Sequence, residues 1–166
     1  FNPTDTAFVF ANSALVMFMI PGLALFYSGM VRQKNALHTA LQSIVALLVV
    51  SIQWFFWGFS LAFSSGNKVY GNLDYILLLF FDTNMITEAH PVAPTAPMLI
   101  FMVYQLMFAA ITAAIISGGP AERLRFRSYV LFLFMWTTLV YCPVTHWVYA
   151  PKGWLFGKVL DFAGGT

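Results

Sequence analysis

Residues 6–31 carry no charged side chain. At 1.5 Å per residue, a helix of that length crosses the ~30 Å hydrocarbon core of a bilayer. Lipid offers no partner for backbone N–H and C=O groups, so a run this long must bond itself, as a helix. Three further runs follow, at about 37–63, 98–117 and 128–149, and a fifth segment starts near 161. Only 8% of the 166 residues are charged, against about 25% in a soluble domain. With 60% hydrophobic residues and a mean hydropathy of +0.79, the chain cannot present a water-facing surface. The expected class is an all-α integral membrane protein in a lipid bilayer.

Other classes fall away on composition. A formal charge of +2 is too small to imply nucleic acid, and the lone Cys142 gives neither a disulfide framework nor a metal cluster. No phosphate loop, nucleophile elbow, zinc pair or dinucleotide fingerprint is present. The reading is therefore not an enzyme, with no cofactor and no metal. The chain begins at Phe1 rather than at methionine and ends a few residues into the fifth segment, so it is expected to be part of a longer chain.

Within the first run, Pro21-Gly22 predicts a kink tolerated by neighbouring helices, and Ala24 and Ser28 have the small-xxx-small spacing that lets another backbone approach. Asn12 and Ser13 suggest hydrogen bonds to another helix, with a ligand role as the alternative. In the second run His38 reads as an interfacial histidine, and Trp54, Trp57 and their phenylalanine neighbours mark the far interface. Residues 64–97 are rich in turn signals, and His90 reads there as an ordinary loop histidine. The run 75–81 is too short to span.

Phe101, Tyr104 and Phe108 recur at i, i+3 and i+7, so they share one helix face. That face is either a packed aromatic seam or a pore lining where ring faces meet a cation. Cys142, His146 and Tyr149 repeat the pattern at i, i+4 and i+7 in the fourth run. Trp147, Tyr149 and Trp154 form an interfacial aromatic belt just before Asp161. Asp161 itself has two compatible readings. One is an N-cap accepting from the amides of Ala163 or Gly164. The other is an anion that stabilises an incoming cation at the membrane edge.

Arg32, Lys34, Arg123, Arg125 and Arg127 fall in the loops after runs one and three, and only Lys68, Lys152 and Lys158 fall at the opposite end. The positive-inside rule then puts those two loops in the cytoplasm and the N-terminus outside.

Several stretches resemble the ammonium transporter family. They are Asn12-Ser13-Ala14-Leu15-Val16, Pro21-Gly22-Leu23-Ala24-Leu25-Phe26-Tyr27, Gly29-Met30-Val31-Arg32 and Lys34-Asn35. Ala121-Glu122-Arg123 and Asp161-Phe162-Ala163-Gly164-Gly165-Thr166 complete the likeness in order and spacing. The resemblance implies the first four transmembrane helices and the start of the fifth of an eleven-helix inverted-repeat fold. It also implies one pore per protomer of a homotrimer in the inner or plasma membrane. Ammonium would be recruited at an outer site and deprotonated, and ammonia would be conducted. The family's site residues map onto Asp161, Tyr149, Phe108, the outer gate, and Tyr104, one turn above it. Tyr149 stands where transporters typically carry tryptophan, a stronger cation–π partner. The alternative is an ammonium sensor, the same fold coupled to a fused signalling domain. A cytoplasmic PII-type regulatory protein is the other partner the resemblance suggests.

Overall fold

The computed structural model describes residues 1–78 and 84–159. Asp161 and the start of the fifth segment lie outside the described residues, as do 79–83. Four helices are long and apolar enough to cross a membrane: α1, Pro3–Met30; α2, Gln33–Phe63; α3, Met98–Ile116; and α4, Phe126–Tyr149. α2 packs on the other three. Short connections 31–32 and 117–125 join α1 to α2 and α3 to α4. These turns and the first residues of the helices they lead into hold five arginine and lysine residues at one end of the bundle. It is here termed the basic end; the other is the acidic end.

α1 starts where local chemistry says it should. Asn2 accepts a hydrogen bond from Thr4 N–H, Pro3 occupies the first helical position and Asp5 lies in the first turn, each favourable at a helix N-terminus. The helix continues through Pro21. Asn12 and Ser13 do not reach another helix as expected. Their side chains donate to Phe8 O and Val9 O of their own helix, at 2.9 and 2.8 Å, because the preceding turn offers the nearest acceptors in an apolar medium. Ala24 is buried, as its spacing suggested.

At the basic end Glu122 holds the two connections together. It accepts from Arg32 N–H at 3.1 Å and Asn35 Nδ2 at 2.9 Å, and its Oε2 lies 3.6 Å from Arg32 Nε. The Asn35 amide, and then the Arg32 N–H, hold this carboxyl below its ordinary range. Glu122 adopts φ 64°, a left-handed turn that is costly for a residue with a side chain and that these three contacts retain.

At the acidic end the connection between α2 and α3 folds back on the helices. Strands β1, Ala89–His90, and β2, Ala93–Pro97, form a small antiparallel hairpin, the one departure from an all-helical framework among the described residues. Asn2 N–H donates to Thr95 O at 2.9 Å and ties α1 to the hairpin. His90 is not an ordinary loop histidine. It is 1% exposed, stacks on Phe101 at 5.0 Å and packs edge-on to Phe63 at 5.8 Å. Its Nε2 meets Phe63 O at 3.0 Å and its Nδ1 accepts from Val92 N–H at 3.2 Å. A carbonyl only accepts and an N–H only donates, so the ring is neutral with its proton on Nε2. Local periodicity carries no sign of this, because Phe59, Phe63 and Phe101 come from two separate helices.

Burial lowers the His90 pKa, partly offset by the bond to Phe63 O. The unfolded chain therefore takes up a proton near its ordinary value of about 6.5 while the folded chain still refuses it. The contribution to stability is complete above that pH and is lost as pH falls below it. Amide exchange across 89–97, corrected for the intrinsic rate, should accelerate between about pH 7.5 and 5.5, on either side of that ordinary value. His90→Gln should remove the pH dependence.

Candidate functional site

A cavity of about 190 Å³ opens between α3 and α4 and reaches Tyr149 at the acidic end of α4. Thr112 of α3 contributes one wall, and Trp136, Val140, Tyr141, Val144, Thr145 and Tyr149 of α4 contribute the rest. No charged residue is among them. Three aromatic rings and two threonines make a place for a small guest whose charge, if any, is met by ring faces. A larger groove of about 420 Å³ runs along α4 between Ser128 and Val140. It is apolar but for Ser128 and has no convergent polar groups, so it is a poor candidate.

Of the expected site residues, the structure puts Tyr149 in the cavity. Tyr104 and Phe108 do not line it. They form a T-shaped ring pair on α3, centroids 4.9 Å apart and planes at 75°. Phe108 is linked to the cavity through Thr112, whose hydroxyl donates to Phe108 O at 2.7 Å. The third member of that spaced set, Phe101, turns into the aromatic cluster with Phe63 and His90. The expected single face is therefore divided between packing and a half-buried ring pair. Asp161 lies outside the described residues.

The expected face of Cys142, His146 and Tyr149 also divides. Tyr149 lines the cavity with Tyr141 and Thr145. His146 is fully buried on the other side, against the end of α2. Its Nε2 lies 2.8 Å from Asn67 O and its Nδ1 3.2 Å from Ala62 O. A neutral ring donates to one of these carbonyls and an imidazolium to both. Trp147 adds a bond from Nε1 to Val69 O at 2.8 Å, so it serves the connection after α2 and not the cavity. Gly153 closes the assembly: a Cβ there would collide with the His146 and Trp147 carbonyls, so only glycine lets the chain pass.

The Ammonium Transporter Family model matches residues 7–166 of this chain. An ammonium transporter of Bacillus subtilis (strain 168) is 46% identical over 166 residues, covering 98% of this chain and 39% of that protein. Ammonium transporter MEP3 of Saccharomyces cerevisiae is 43% identical over 169 residues, covering 99% and 34%. Among solved structures, the delta442 mutant of Candida albicans Mep2 superposes with TM-score 0.86 at 39% identity, over 99% of this chain and 40% of that one. Saccharomyces cerevisiae Mep2 gives 0.83 at 40% identity, over 93% and 34%. The chain thus spans between a third and two-fifths of the length of these relatives.

In the sequence His146 stands out only as part of a face. Its place directly before Trp147, the first of the interfacial aromatics, is the available signal, but its acceptors come from residues 62 and 67, far away in sequence. His146→Ala should lower the melting temperature of the detergent-solubilised protein, since each buried carbonyl left without a donor costs about 1–3 kcal/mol. His146→Gln, whose amide can still reach one carbonyl, should recover part of the loss.

Proposed function

We propose, because this chain belongs to the ammonium transporter family, that the whole protein carries ammonium or ammonia across a cell membrane. The observation that carries the proposal is the family match along 7–166 together with the superposition on solved Mep2 structures. The named relatives are transporters, which agrees with a binding role for the aromatic cavity and not with an enzyme. The whole protein is proposed to be an eleven-helix, inverted-repeat homotrimer with one pore per protomer. The basic end faces the cytoplasm, and the N-terminus and Tyr149 face outward.

The chemistry follows from desolvation. A bare ammonium ion is costly to bury unless it is paired. At the acidic end, ring faces such as that of Tyr149 and the carboxylate of Asp161 lower that cost. Beyond the ring pair of Tyr104 and Phe108, with Phe108 as gate, an apolar path disfavours the charged form and promotes loss of a proton. Ammonia then crosses. Potassium has no proton to lose, so the same path rejects it.

Tyr149 supports a second reading. A tyrosine ring holds a cation less strongly than the tryptophan typical of transporters, which leaves room for a sensor that binds ammonium and signals through a fused domain. A PII-type regulatory protein at the basic end belongs to the transporter reading.

Two measurements on the full-length protein test these assignments. Asp161→Ala should abolish ammonium-evoked current on a supported membrane; wild-type current would show the carboxylate to be dispensable. Tyr149→Trp should tighten ammonium binding measured by calorimetry by a factor of about two, equivalent to ~0.5 kcal/mol at a cation–π contact. An unchanged affinity would mean that Tyr149 does not meet the ion. In the wild type, a sustained saturable current identifies a transporter, and binding with only a brief charge displacement identifies a sensor.

A further inference from the structure

α2 and α4 each contain one widened turn, and the two turns lie beside each other. In α2 it is Trp54–Gly58, where Phe59 N–H reaches back five residues to Trp54 O. In α4 it is Thr137–Tyr141, where Cys142 N–H reaches back five residues to Thr137 O. Each is a π turn, a feature that recurs at functional sites and needs support because it departs from the preferred hydrogen-bond ladder. A π turn adds one residue to a helix. Everything beyond it is rotated by about 100° relative to an unbroken α-helix. In α4 the residues beyond it include Thr145, His146 and Tyr149.

The support comes chiefly from one side chain. Gln53 is fully buried, immediately before the π turn of α2. Its Nε2 donates to Phe134 O at 2.6 Å and to Thr138 Oγ1 at 2.6 Å. The Phe134 carbonyl can only accept, so the amide nitrogen must point at α4. Thr138 lies inside the π turn of α4. It also accepts from Trp57 Nε1 at 3.0 Å, and the Trp57 ring packs edge-on against Phe134 at 5.3 Å. Gly58 lets the α2 turn form, because a Cβ there would meet the Trp54 ring at 2.9 Å. The wide turn of α4 is therefore gripped by an amide and an indole, one just before the wide turn of α2 and one within it.

We propose that Gln53 is a positioning residue for the ammonium site, acting through Thr138 to hold the π turn of α4 and so set the direction in which Tyr149 points. This rests on the binding role proposed for Tyr149. Gln53 does not line the cavity itself. Its effect is on the azimuth of the last two turns of α4, which His146 fixes independently from the other side.

The test uses the full-length protein in lipid nanodiscs. Gln53→Leu keeps the size and removes the donor. Thr138→Val removes the hydroxyl, and Thr138→Ser restores it. Amide exchange is followed over 137–142, ammonium affinity by calorimetry with ammonium chloride, and unfolding by melting temperature. Gln53→Leu and Thr138→Val are each expected to speed exchange over 137–142 and to raise the ammonium Kd about tenfold. The double variant should lose less than the sum of the two single losses, since both break the Gln53–Thr138 bond while each also breaks one bond of its own. Thr138→Ser should behave as wild type. Faster exchange or a lower melting temperature with an unchanged Kd would overturn the proposal, since Gln53 would then be structural only. Unchanged exchange and Kd in both variants would overturn it as well. Current recorded in parallel tests transport separately: if it is absent while binding persists, transport fails and the Kd shift still decides the role of Gln53.

Discussion

The last four carbonyls of α2 have no partner within their own helix, and the acidic end is arranged to supply donors. Ser60 O takes Ser64 N–H at 3.1 Å and Leu61 O takes Gly71 N–H at 3.0 Å. Ala62 O faces His146 and Phe63 O faces His90. A helix end left bare near lipid would cost several kcal/mol per group. Here the carbonyls recruit different segments: the turn that follows the helix, the hairpin before α3, and the end of α4. One satisfied helix terminus thus fixes all three, and with them the surroundings of Tyr149. Both histidines sit at the negative end of the helix dipole, where N–H donors are favoured.

The same demand acts inside the membrane, where water cannot serve as a substitute partner. Trp54 Nε1 donates to Met102 O at 3.2 Å and links α2 to α3. Gln53 and Trp57 link α2 to α4 through Phe134 O and Thr138. Tyr129 donates to Gln42 O at 3.2 Å, nearer the basic end of the same pair of helices. Apolar side chains gain nothing by leaving lipid for one another, so it is these bonds and close packing that choose the neighbours of α2. Its central place in the bundle follows from its polar residues.

The aromatic cavity is a product of this frame. It has no charge of its own among the residues that line it and draws its character from Trp136, Tyr141 and Tyr149 on one helix and Thr112 on another. The widened turn Thr137–Tyr141 rotates Thr145 and Tyr149 toward the wall that carries Trp136. At the opposite end Glu122 joins the two short connections, and its carboxylate pairs with Arg32 at the end that carries five arginine and lysine residues. The Ala121-Glu122-Arg123 stretch thereby acquires a structural role, in which its glutamate closes the basic end while its arginine stays exposed.

Much of the framework is legible in the order of the residues. Uncharged runs of spanning length dictate helices in lipid, because a single run of about 20 residues bonds its own backbone there only as a helix. The split of basic residues separates the two ends, and the motif stretches point to the family whose model matches residues 7–166. What the sequence could not determine was phase and partner. Regular spacing assigned Cys142, His146 and Tyr149 to one face, and Phe101 with Tyr104 and Phe108 to another. Only the folded chain separates them, because the carbonyls at the end of α2 claim His146 while Tyr149 lines the cavity, and because the cluster around His90 claims Phe101. His90 and His146 read as a loop residue and a face residue since their acceptors, Phe63 O, Ala62 O and Asn67 O, belong to the end of another helix and the turn after it. Local periodicity encodes which residues are apolar. Which carbonyl a buried donor reaches is settled when the helices come together.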